Sequence, residues 1–246
     1  MRTFFESAWF LPVFCLMLLL HFELGYRLAL GQKTSPLYRG RPIESAIIGL
    51  LSLLLGFTFN QAGQSYRERL SLVHEESDTV SQVYRVTELL PKAERKALRT
   101  LLVEYLEAKS GDLSDREAIR LQGRIFGYVL EINHRDLVSE QVGLAILQSV
   151  NRMIQLHFRG VYSRQERVPI AVMALLVMGS WSISVMVGFA SGVNERRSWV
   201  IPLVFFFLIT CTLATIRDLD DPYGGWIRVD FSNLQDLLQI LKRMRA

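Results

Sequence analysis

Long stretches without a charged residue organise this chain. Residues 45–66, 168–194 and 198–216 contain no Asp, Glu, Lys or Arg, over 22, 27 and 19 positions. Each approaches or exceeds the roughly 20 mostly apolar residues that carry a helix across a hydrocarbon layer. A shorter apolar run, AWFLPVFCLMLLLHF at 8–22, is followed by Glu23 and then LGYRLALG. It reads as a retained first membrane helix. The competing reading, a secretory signal, fits less well, because Arg2 is opposed by Glu6 and no small-x-small cleavage site follows before large residues resume to Leu30.

Polar and apolar positions alternate differently between the second and third spans. Pro36, Gly40 and Pro42 break the loop after the first span. The second helix starts at Ile43, passes Phe59, and meets no breaker until Pro91. Beyond the membrane part, Leu70, Val73, Val80, Val83 and Val86 make one apolar stripe. Pro91 suits the first turn of the next helix, which closes at Gly111. Ser114 and Glu117 form a capping box ahead of IRLQGRIFGYVLEI. A further helix covers about 137–162, and Pro169 marks entry to the third span. No strand pattern and no internal repeat interrupts this. The expected fold is therefore all-α: an integral membrane protein with four transmembrane helices and a helical cytoplasmic insert between the second and third. Its divisions are 1–66, 67–167, 168–218 and a tail at 219–246, whose Leu234, Leu237, Leu238 and Leu241 mark a short amphipathic helix.

Composition sharpens the class. Of 246 residues 50% are hydrophobic and 21% charged, and the net charge is +4. Three uncharged spans exclude a soluble enzyme. The basic excess reads as Lys and Arg flanking membrane segments and not as a nucleic-acid surface. Nine Lys or Arg near the membrane ends lie at the N-terminus, the insert ends and the tail, against six in the two short loops. That places both termini and the insert in the cytoplasm. Cys15 and Cys211 lie in apolar segments without a CxxC neighbour, and the four histidines show no ligand spacing. With no phosphate loop, GxSxG elbow or HExxH helix, the reading is no enzyme, no cofactor and no metal. The Glu75–Glu76 pair reads as a solvated face. Glu44, at the mouth of the second span, is equally explained by a functional role at membrane depth or by complementing the helix N-terminus.

Small residues carry more information. Ser45, Gly49, Ser52 and Gly56 recur along the second span, and Ser180, Ser184, Gly188 and Gly192 recur at intervals of four along the third. Such ridges permit close helix packing in lipid, or line a narrow water-filled path. After the fourth span, Asp218, Asp220 and Asp221 precede a Pro-Tyr-Gly-Gly turn. They are expected to pair with Arg217 and basic residues of the insert, with cation binding as the alternative.

Two segments resemble the bestrophins, and more closely the bacterial bestrophin-like membrane proteins. LLSLLLGFTFNQAGQSYRERLSLVHEESDTVSQVY, from Leu50 to Tyr84, is similar to the bestrophin second helix, with Leu55-Gly56-Phe57 and the aromatic–Arg pair Tyr66 and Arg67. DDPYGGWIRVDFSNLQDL, with Asp220, Asp221, Pro222, Tyr223 and Gly224, is similar to the Asp/Asn-Pro-Phe-Gly signature after the last membrane helix. The resemblance implies a homopentameric anion channel in the bacterial inner membrane, with membrane lipid around it and chloride-like anions passing through. Its second helix would line the pore through Ser45, Gly49, Leu53 and Phe57, continued by Gln61 and Gln64, with Leu53 and Phe57 as an apolar neck. Gly49 departs from the pattern, since bestrophins usually place a large apolar residue there. The acidic run forming the animal calcium clasp is also replaced, by Gly225-Trp226-Ile227-Arg228. A second reading is a non-conducting scaffold or sensor whose insert, residues 92–162 with the basic positions Arg95, Lys96 and Arg99, docks a cytoplasmic partner.

Overall fold

The computed structural model describes residues 7, 9–31, 41–110, 115–193, 199–221, 227 and 232–245. These form α1 (Phe10–Gly31), α2 (Arg41–Val86, continued by the 3-10 turn Thr87–Leu89), α3 (Lys92–Ser110), α4 (Asp115–His134), α5 (Glu140–Gln165), α6 (Ile170–Val193), α7 (Val200–Asp220) and α8 (Ser232–Arg245). No strand occurs among the described residues. The fold is all-α, and α1, the apolar part of α2, α6 and α7 are long and apolar enough to cross a membrane. The chain divides into two compact units, residues 1–66 with 167–228 and residues 67–166 with 229–246.

In the first unit, α1 and α6 make the most extensive helix pair. Glycine makes it possible. A Cβ on Gly188 would fall on the Phe22 carbonyl, one on Gly25 would fall on the Val185 carbonyl, and one on Gly192 would lie 2.6 Å from Ala29 Cβ. Ser184 Oγ donates to the Leu18 carbonyl across the pair at 2.5 Å, and Ser180, fully buried, donates to Leu176 O at 2.7 Å. Lipid supplies no hydrophobic drive between helices, so backbone approach and such bonds hold them together. Phe10, Phe14, Leu18 and Phe22 recur every fourth residue on the buried side of α1. Phe22 meets Phe206 of α7 edge-on, with ring centroids 6.0 Å apart. From α2, Leu51, Leu55 and Ala62 join this core.

The second unit packs α3 with α4, α4 with α5 and α3 with α8. Its core draws on Leu98, Leu102 and Leu106 of α3, Leu121, Ile125 and Val129 of α4, and Ile146, Val150 and Met153 of α5. Leu234, Leu237 and Leu241 bury the apolar face of α8 in the same cluster, with Leu238 packed at its edge. On α2, Val73, Val80 and Val83 are buried, whereas Leu70 and Val86 are half-buried. The helix expected at 137–162 begins three residues later, because Asp136 takes a left-handed conformation (φ 49°) that ends α4. Ser114 of the expected capping box lies outside the described residues.

Candidate functional site

The second span has two unlike sides. Leu51, Leu55, Thr58 and Ala62 are buried, at spacings of four, three and four. Residues two positions further on sit about 200° around the helix, and there the chain offers no cover. Ser45, Gly49, Leu53, Phe57, Gln61 and Gln64 are all exposed. Leu53 is 55% exposed and Phe57 64%. A Cβ added at Gly49 would meet nothing within 4 Å. The six residues thus share one open side of α2, about 28 Å long at 1.5 Å per residue.

The chemistry of that side changes along its length. Small residues give way to Leu53 and Phe57, and then Asn60, Gln61 and Gln64 follow, all exposed. A primary amide facing hydrocarbon has no partner for its hydrogen-bonding groups, at a cost of several kcal/mol. Water or protein must therefore meet this end of the face. Two hydroxyls of the segment are satisfied locally, Ser52 Oγ by Ile48 O and Thr58 Oγ1 by Leu54 O, each at 2.8 Å.

The small residues of α6 have a different setting. Ser180, Ser184, Gly188 and Gly192 are all buried. The last three meet α1 through the contacts described above. Of the residues after α7, Asp220 and Asp221 are described, whereas Pro222, Tyr223 and Gly224 lie outside the described residues. Asp220 Oδ1 accepts the Val168 N–H at 2.8 Å and Asp221 lies 3.7 Å from Arg167 Nη2, both just before α6. Asp218 Oδ2 accepts the Ile227 N–H at 2.9 Å. These aspartates fasten chain segments at the ends of α6 and α7, and no group of three possible metal-ligating side chains occurs among the described residues.

Two buried arrangements escaped the sequence. Arg69 is buried, and its Nε and Nη2 donate to Ser163 O at 3.2 Å and Glu166 O at 2.8 Å. It thereby satisfies carbonyls that the C-terminal end of α5 would otherwise leave open. The second centres on Glu76, which is buried and not part of a solvated Glu75–Glu76 face. Lys109 Nζ donates to Glu76 Oε2 at 2.8 Å and lies 2.9 Å from His157 Nδ1, which itself stands 3.7 Å from Glu76 Oε1. The Tyr105 hydroxyl donates to Glu76 Oε1 and accepts from Gln122 Nε2 at 3.2 Å. Burial pushes the Glu76 carboxyl up, but the His157 imidazole, the Lys109 ammonium and the Tyr105 hydroxyl outweigh it and hold it down to about 2. Burial and the Glu76 charge push the Tyr105 phenol well above its ordinary range. One signal was available. Glu76 falls within the stripe Val73, Glu76, Val80, Val83, at spacings of three, four and three, so it shares the buried side.

Two of the three candidate basic positions of α3, Arg95 and Arg99, are engaged as well. Arg95 Nη1 lies 2.7 Å from Glu88 Oε2, Arg99 pairs with the same carboxylate, and Arg99 also sits 4.1 Å over the Tyr84 ring.

The family model described as "Bestrophin-like domain" matches residues 43–234. No curated protein sequence matches the chain. Among solved structures, a bacterial bestrophin homologue from Klebsiella pneumoniae is 13% identical, covers 96% of this chain and 97% of its own, and superposes with a TM-score of 0.74. A point variant of that homologue gives 0.75, with 98% of each chain covered and 13% identity. At this identity the likeness carries the fold.

Proposed function

From its membership of the bestrophin-like family, we propose that this integral membrane protein is an ion channel, an oligomer passing anions such as chloride through a central pore lined by α2. The observation that carries the reading is the open side of α2: small residues, then Leu53 and Phe57, then amides, on the least buried of the four spans. In a closed cyclic oligomer copies of that side would face one another. Leu53 and Phe57 would form an apolar neck that gates by dewetting, and Gln61 and Gln64 would solvate ions beyond it. Pentameric symmetry comes from the family resemblance. The inner membrane of a bacterium, with both termini and the second unit in the cytoplasm, follows from that resemblance and from the Lys and Arg distribution.

The scaffold reading takes its motive from basic, solvent-facing helices around Arg95, Lys96 and Arg99. Arg95 and Arg99 are occupied by Glu88, so it draws little support. Purified protein in proteoliposomes with a chloride gradient tests the proposal. Halide efflux above that of empty liposomes, with little change when sodium replaces potassium, is the expected result. Silence from folded, oligomeric protein contradicts it.

A further inference from the structure

A polar cleft of about 420 Å³ opens in the second unit, lined by Gln148, Asn151, Arg152, Gln155 and Arg159 of α5 and by Glu75 of α2, over the buried Leu156. That volume lies within the usual few hundred to one thousand Å³ of small-molecule sites. From this cleft we infer that it binds a ligand carrying phosphoryl groups, independently of whether the protein conducts ions.

The argument rests on charge left uncompensated in a concave place. Several arginines of this unit find carboxylates. Arg120 pairs with Glu117 at 2.5 Å, Arg124 with Glu104 at 3.2 Å and Arg164 with Asp115 at 3.0 Å. Arg152 and Arg159 form no ion pair among the described residues. Their own helix explains this, because α5 has no Asp or Glu after Glu140. Glu75 is the one carboxylate among the lining residues, against two arginines, and it accepts from Ser71 Oγ at 3.2 Å, so the lining keeps a net positive charge. Above Leu156 the polar groups of the α5 wall are thus all donor-bearing, two guanidinium forks and three primary amides, with no carboxylate. A guanidinium presents paired N–H groups that match two oxygens of one phosphoryl group, and amide N–H groups complete the shell. Arg152 and Arg159 lie seven residues apart, about 10.5 Å along the axis. Long side chains can bring both guanidinium groups over the cleft, so that each takes one of two linked phosphoryl groups. Such a ligand could be a soluble oligophosphate or a phospholipid headgroup.

Calorimetric titration of the full chain in neutral detergent with pyrophosphate and with orthophosphate, beside flotation with phosphatidic acid or phosphatidylcholine vesicles, separates these sources. The expected result is saturable pyrophosphate binding that exceeds orthophosphate binding and weakens about tenfold or more in Arg152→Gln/Arg159→Gln. Glu75→Gln should strengthen it severalfold, a gain that misfolding cannot produce. Arginine-dependent flotation with phosphatidic acid alone, without pyrophosphate binding, assigns the phosphoryl group to lipid. Equal behaviour of wild type and the double arginine variant toward every probe, or no binding to any, overturns the inference.

Discussion

Alanine at both Leu53 and Phe57 is expected to raise halide flux through reconstituted protein by about tenfold. The two side chains are 55% and 64% exposed on the open side of α2, so their removal leaves no cavity in the chain's own core. An apolar ring blocks ions by expelling water, and that barrier depends steeply on ring width. Widening the ring by two truncations per subunit needs to lower the barrier by only ~1.4 kcal/mol to give tenfold. In the proposed pore Gly49, one turn before Leu53, would leave that level wide, so the two truncations would remove what remains of the constriction. Efflux of chloride from proteoliposomes at matched protein density measures it. Flux unchanged from wild type would place the constriction elsewhere.

Glu76→Gln is expected to be the most damaging single change in the second unit. It leaves the Lys109 ammonium, whose side chain is 7% exposed, without its countercharge. Breaking a buried pair from one side costs about 3–5 kcal/mol. Replacing both partners, as in Glu76→Gln/Lys109→Met, should recover most of that loss. The same carboxylate makes stability acid-sensitive. Its value in the folded protein, about 2, lies below the ordinary 4.5, so its contribution is present at neutral pH and is lost as pH falls from about 5 toward 2. That contribution is about 3 kcal/mol. Denaturant unfolding of the detergent-solubilised chain, followed by circular dichroism at pH 7 and at pH 4, reads both effects. Wild type should lose stability between the two values, and Glu76→Gln should lose much less of it.

What the sequence disclosed follows from how local each signal is. The spans could be read directly, because an uncharged run of this length has few alternatives to a membrane helix. The apolar face of α8, at Leu234, Leu237 and Leu241, could likewise be read from spacing. The partner of the α6 ridge could not. Gly188 and Gly192 announce that something approaches, but not which helix, and only the fold brings Gly25 and Ala29 of α1 against them. Glu76 was hidden for a similar reason: its partners, Tyr105, Lys109 and His157, come from two other helices, so proximity to Glu75 suggested solvent. Arg69 lies two residues from the Arg67 of the family likeness, and only the fold reveals that it is the one turned inward. For α2, the alternation of small, apolar and amide residues was visible, but its openness depends on which side Leu51 and Leu55 bury.

The most direct test of an α2-lined pore is chemical modification at Phe57. With Cys15 and Cys211 replaced by serine, Phe57→Cys is reconstituted and treated with a bulky, membrane-impermeant thiol reagent. Leu208→Cys on the exposed side of α7 serves as the control. The account predicts that halide flux collapses on modification at position 57 and persists at position 208. Flux that survives complete labelling of position 57 would contradict it.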